Sequence, residues 1–78
     1  MKAYVLINSQ TMETADVVEM IRKVKGVVAA DVTFGTYDAV AVVEAPDLNA
    51  LGKIIVREIR TLPGVVDTST CLAVEPAR

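Results

Sequence analysis

Gly35-Thr36-Tyr37-Asp38 and Thr68-Ser69-Thr70 are the residues of this 78-residue chain whose types and spacing suit ligand chemistry. The first segment lies between two apolar runs. Glycine gives the backbone freedom and lets another group come close. The Tyr37 hydroxyl and the Asp38 carboxylate supply one donor-acceptor and two acceptor oxygens. Thr68, Ser69 and Thr70 offer hydroxyls on a different segment. Such a set can hold both ends of a zwitterion, with main-chain N–H groups on its carboxylate and Asp38 on its ammonium. Each piece also has a plainer reading. Gly and Asp are ordinary turn residues, and a Thr-Ser-Thr run is ordinary strand sequence.

Other chemistries find little to build on. The chain has no histidine, so Ser-His and Cys-His nucleophile pairs are excluded and the commonest transition-metal ligand is missing. Its one cysteine, Cys71, stands between Thr70 and Leu72 in an apolar-to-polar strand pattern and reads as a buried, inert thiol. No CxxC, HExxH or Walker pattern occurs. Asp31, Asp38 and Asp67 have no spacing that gathers them for acid-base work. The expectation is a binding protein with no catalytic residues, metal or cofactor.

Composition narrows the partners. Eight basic against ten acidic residues give a net charge of −2, and the basic residues are scattered, whereas phosphate backbones are gripped by clustered Lys and Arg. Tyr4 and Phe34 are too few aromatics for a base-stacking sheet. Direct nucleic-acid binding is not expected. No apolar run reaches the ~18 residues of a membrane span. Met1–Ile7 starts like a signal peptide but stops at Asn8, too soon for one. With a lone cysteine this suggests a cytoplasmic protein.

The elements that carry these residues follow from periodicity. Ala3–Ile7 reads as a strand. Thr11 can cap a helix with Glu13 and Asp16 near its first turn, and Val17, Val18, Ile21 and Val24 form its apolar side, with Met12 and Met20 as filler. Gly26 ends it. Val27–Phe34 is a second strand, Gly35–Asp38 a turn and Ala39–Glu44 a third strand. Asp47 can cap a second helix with the stripe Leu48, Leu51, Ile55, Ile59 and Leu62, Ile54 alongside, and Lys53, Arg57 and Arg60 on the solvated side. Pro63-Gly64 stops it, Val65–Val74 is the fourth strand, and 75–78 is a tail. Lys25-Gly26-Val27-Val28 and Pro63-Gly64-Val65-Val66 form a weak internal repeat.

The order βαββαβ predicts a single α+β domain over 1–78, a ferredoxin-like sandwich with a four-stranded antiparallel sheet and two helices on one face. A sheet covered on one side should alternate apolar with polar residues. Ala-Tyr-Val-Leu-Ile, Val-Val-Ala-Ala and Ala-Val-Ala-Val-Val do not. The second face is expected to be an apolar patch covered by another chain. A domain this small buries only about 60–65% of its unfolded surface, so a partner would also help its stability.

Taken together, the Gly26-Val27 helix exit, Val32-Thr33-Phe34-Gly35-Thr36-Tyr37-Asp38, the Leu51-Ile55-Ile59 stripe, and Leu62-Pro63-Gly64-Val65 followed by Thr68-Ser69-Thr70 resemble the effector domain of the leucine-responsive/asparagine-type (Lrp/AsnC) transcription regulators. The resemblance runs along nearly the whole chain. It implies homodimers through the sheet faces, assembling into rings of eight or ten chains, with amino-acid effectors bound between dimers near the turn that maps to Gly35, Thr36, Tyr37 and Asp38. The chain begins at the first strand, so it resembles a stand-alone effector domain without the helix-turn-helix; DNA binding does not carry over, and joining full-length regulators becomes an expected role. Phe34 departs from the family, where many members have a smaller or polar residue. The competing readings are a purely structural assembly module without ligand and a small enzyme of the dimeric-barrel type, the latter disfavoured by the missing histidine.

Overall fold

A computed structural model of the chain describes residues 1–10 and 14–75. The elements run β1 (Lys2–Ser9), α1 (Thr14–Arg22), β2 (Val27–Val32), β3 (Ala39–Glu44), α2 (Leu48–Lys53) continuing into π-helical turns (Ile54–Ile59), and β4 (Val65–Leu72). The strands form one antiparallel sheet in the order β2-β3-β1-β4. This is the expected βαββαβ ferredoxin-like α+β arrangement. The expected cap at Thr11, with Glu13 and Met12, lies outside the described residues, as do 76–78 of the tail.

Side-chain alternation builds the core. Ala3, Val5 and Ile7 of β1 and Ala39, Ala41 and Val43 of β3 point to one face and are buried there with Ala30. Val17, Val18 and Ile21 of α1 and Leu51, Ile55 and Ile59 of the second helix close over them. Small residues on the strands let both helices sit near the sheet. Asp47 caps α2 as expected, its carboxylate accepting from the Ala50 N–H at 2.8 Å. The buried stripe of that helix advances in steps of four, slightly longer than the α-helical 3.6, and such spacing suits the wider π turn. The Arg60 N–H accordingly donates to the Ile55 carbonyl at 2.9 Å. Leu48 departs from the expected stripe: it is 59% exposed, because it stands at the capped start of the helix before the helix reaches the sheet.

The internal repeat is a structural one. Gly26 and Gly64 both have positive φ, 101° and 94°. The Val27 N–H donates to Val24 O at 3.1 Å and the Val65 N–H to Leu62 O at 3.2 Å. The carbonyls of Gly26 and Gly64 each accept from the end of a neighbouring strand, Glu44 and Gln10, both at 2.8 Å. A Cβ on Gly26 would stand 2.6 Å from Ile54 Cδ1, and one on Gly64 2.7 Å from Val17 Cγ2. Each half's exit glycine is thus pressed by the other half's helix.

The open face of the sheet is apolar in its middle and polar at its margins. Tyr4, Leu6, Ala29, Val40 and Val42 lie there, flanked by Lys2, Asn8, Asp31, Glu44, Asp67 and Ser69. Cys71 corrects its expectation. It pairs with Tyr4 on this open face and is exposed, not buried, because β4 is an edge strand and Cys71 points away from the helices.

Candidate ligand-binding site

The β2–β3 connection is fastened at its base and open at its tip. Thr33 N–H donates to Asp38 O at 2.9 Å, and Thr33 Oγ1 donates to Tyr37 O at 2.6 Å. Asp38 then ties the turn to β1 twice: its N–H donates to Ile7 O at 2.9 Å, and its Oδ2 accepts from the Ser9 N–H at 2.8 Å. Ser9 stands two residues past Ile7, so strand alternation puts its amide on the same β3 side as the Ile7 carbonyl, where it meets the carboxylate. The Ser9 hydroxyl reaches on to Thr14 Oγ1 at 2.7 Å, at the start of α1. The carboxylate therefore fixes where the turn stands relative to strand and helix.

Among the described residues, the N–H groups of Phe34, Gly35, Thr36 and Tyr37 have no hydrogen-bond partner. Phe34, Gly35 and Thr36 are exposed and Tyr37 is half-buried. Gly35 does not have a positive φ, and a Cβ there would meet nothing within 4 Å. Neither the backbone nor the surroundings in one chain require glycine at this position. A run of unpartnered amides can donate to a carboxylate, and the second oxygen of an ionised Asp38 retains lone pairs for an ammonium.

Thr68 and Thr70 stand elsewhere. They pair with Ile7 and Val5 and so share the helix-covered face, at its β4 edge. There they line a cavity of about 310 Å³ with Leu48, Leu51, Gly52, Ile55, Val56, Arg60 and Leu72. No residue of the 33–38 turn borders it. β1 lies between the turn and β4, a separation of about 10 Å at the usual strand spacing. Gly35, Thr36, Tyr37 and Asp38 form one cluster and Thr68 and Thr70 another; one chain does not bring the two together. Leu48, Val56 and Leu72 on the cavity rim were not among the sequence candidates. For Val56 and Leu72 the only signal is that they are apolar residues outside the core stripe; Leu48 was expected within it. A larger cleft, about 570 Å³, opens at the other end between Lys23–Gly26, Ala45-Pro46 and Ile54, and none of the candidate residues lines it. No group of metal-ligating side chains gathers among the described residues.

The fold, the paired glycine exits and the anchored turn define an α+β domain of the ferredoxin-like type. The chain belongs to the Lrp/AsnC ligand binding domain family, whose model matches residues 2–77. It is similar to TTHA0845 from Thermus thermophilus, with 30% identity and a TM-score of 0.90 over 99% of this chain and 96% of that one. It is also similar to FFRP-DM1, with 30% identity and a TM-score of 0.88 over 94% of this chain and 97% of that one. Escherichia coli AsnC shares the fold at 17% identity and a TM-score of 0.88; the match spans 96% of this chain but 51% of AsnC. No curated protein matches the chain. The family is one of regulatory ligand-binding domains, not enzymes. Among the described residues no helix is long and apolar enough to cross a membrane.

Proposed function

We propose that this chain is an amino-acid-sensing and assembly module, in which the 33–38 turn receives the backbone end of a free amino acid. The observation that supports this most directly is the pairing of opposites at that turn: consecutive N–H groups without partners, next to a carboxylate with one oxygen still unused. The first suits the ligand's carboxylate and the second its ammonium. A fold relative, a transcriptional regulator from Neisseria meningitidis, was solved as a complex with L-Met, which makes an amino acid the natural effector to try. Sheet-face dimers gathered into rings of eight or ten chains would present these turns to one another. The same surfaces would admit full-length regulators of the family as partners and so pass the effector's signal to transcription.

The test is a thermal-shift screen of the intact protein against the standard amino acids, followed by calorimetric titration of those that raise the melting temperature. A ligand present at one hundred times its Kd adds about 2.7 kcal/mol to the folded state. At least one amino acid is expected to give a saturable shift, and the matching compound lacking its amino group is expected to give none. A flat panel overturns the sensing role and leaves the second reading, an assembly module without ligand. The full exposure of Phe34 favours that second reading, since a bare aromatic serves an interface better than a small polar ligand.

A further inference from the structure

The cleft of about 570 Å³ where α1 ends has no task in amino-acid sensing, and its size is that of a small-molecule site. Small residues leave it open. Gly26 closes α1 against Ile54, Ala45 and Pro46 form the link from β3 to α2, and Ala50 stands on the flank of α2. None of the small side chains reaches across the gap. The walls are fastened all the same. The Glu44 N–H donates to Gly26 O at 2.8 Å, and the Ala45 N–H to Met1 O at 2.9 Å. Asp47, next along the link, caps α2. The cleft is thus held in shape without an occupant, as ligand sites usually are.

Its floor is apolar and its mouth is positive. Met20, Ala45 and Ile54 pack on the core from one side, yet each stays partly exposed and lines the cleft from the other, with Val24 beside them. Lys23, Lys25 and Lys53 stand around this floor, three ammoniums against the two carboxylates of Glu44 and Glu58. The mouth is therefore positive in a chain whose net charge is −2. Among the described residues, none of the three lysines has a carboxylate within 4.0 Å. Lys23 and Lys25 also suit the C-terminal end of α1, but Lys53 belongs to the other helix, and only the fold brings it to them. Lysine stems lie along apolar surface while their ammoniums keep to water. The cleft accordingly offers hydrocarbon within and positive charge at its opening.

We propose that this cleft is a second ligand site, for an aliphatic monocarboxylate. The alkyl chain lies on Met20, Val24, Ala45 and Ile54, and the carboxylate stands among Lys23, Lys25 and Lys53. Such a ligand lacks the ammonium that Asp38 would hold, so the two sites read different molecules. No residue of the 33–38 turn lines the cleft, and the inference is independent of the amino-acid reading.

The experiment titrates the intact protein, isotope-labelled at its methyl groups, with acetate, hexanoate, octanoate and octylammonium. Octanoate is expected to move the methyl signals of Met20, Ala45 and Ile54 saturably. Those of Val32 and Ala39, on either side of the turn, should stay in place. Affinity should rise by up to about fourfold for each methylene from hexanoate to octanoate. Acetate lacks the chain and octylammonium the negative charge, and neither should give a saturable shift at the same concentration. The variant Lys23→Gln/Lys25→Gln/Lys53→Gln should bind octanoate about tenfold more weakly, since each exposed ion pair contributes up to about fivefold. Ala50→Phe, which fills the cleft, should abolish the shifts at Met20 and Ala45. Circular dichroism checks the fold of both variants; should Ala50→Phe not fold, the lysine variant decides alone, because the three side chains it changes are exposed. An octanoate titration that moves no methyl signal overturns the proposal. So do shifts confined to Val32 and Ale39, octylammonium bound as tightly as octanoate, or unaltered octanoate affinity in the lysine variant or in a folded Ala50→Phe.

Discussion

Asp38 has two oxygens and two possible duties. One holds the Ser9 amide at 2.8 Å; the other is the proposed partner of a ligand's ammonium. Alanine removes both, so an alanine variant confounds them. Asparagine separates them, because its carbonyl still accepts from Ser9 while the charge is gone. Asp38→Ala is expected to lower stability by about 1.5–3 kcal/mol, the usual range for a hydrogen bond to a charged group. Asp38→Asn should melt within a few degrees of the wild type, yet bind its amino acid about ten to one hundred times more weakly. Equal affinity in Asp38→Asn would remove Asp38 as the ammonium's partner. Gly35→Ala is expected to leave stability within about 0.5 kcal/mol, since φ is ordinary and the space around it is empty; a melting curve checks this. That Asp38 mattered was legible in the sequence, from its place after a glycine in a short polar turn. Its partner was not, because Ser9 lies on another strand, 29 positions away, and no local pattern says which amide that strand presents to the turn.

At the scale of elements, the molecule is two similar halves that meet through their glycines. Both exit glycines have a left-handed φ, which costs other residues roughly 1–2 kcal/mol. Their surroundings then differ. Gly26→Ala meets the Glu44 carbonyl at 3.2 Å as well as Ile54, and a backbone oxygen cannot rotate away. Gly64→Ala meets only a methyl of Val17. Gly26→Ala is therefore expected to destabilise more than Gly64→Ala, with both above about 1 kcal/mol in denaturant melts. Gly52 is the control. It lies inside α2 with open space where a Cβ would be, and Gly52→Ala is expected to raise stability by about 0.5–1 kcal/mol through helix propensity. Equal effects at all three glycines would sink the account. The Lys-Gly-Val-Val and Pro-Gly-Val-Val repeat announced these exits, as did Asp47 its cap. The π turns were harder to read, since a stripe in steps of four is tolerated by both helix types until packing decides.

The whole molecule has more apolar surface than it can cover. Alternation along β1 and β3 told correctly that two faces were apolar, because Leu6, Val40 and Val42 stand at the positions between the core-facing Val5, Ile7, Ala41 and Val43. The case did not extend to the more polar β4, whose Thr68 and Thr70 share the helix-covered side with Val5 and Ile7 while Asp67, Ser69 and Cys71 face the open one. What the pattern did not show for Cys71 was its side: it points to the open face at the sheet's edge and is exposed there. The exposed thiol now becomes a reporter. If a second copy covers the open face over Leu6, Val40 and Val42, Cys71 beside Tyr4 lies within or next to that contact. Val42→Glu puts a charge at the centre of the patch and is expected to yield monomers at micromolar concentration. Its thiol should react with an aromatic disulfide reagent at the rate of a free surface cysteine. The wild-type thiol should react at least about tenfold more slowly, since reaching it requires the dimer to open by the equivalent of about 1.4 kcal/mol or more. Circular dichroism of Val42→Glu guards against a trivial unfolding. A wild-type thiol as fast as the variant's, in a protein that light scattering shows to be oligomeric, would move the interface off the sheet face. A head-to-tail contact between other surfaces of the chain would then carry the assembly, giving an open helix or a ring of single chains rather than a ring of dimers.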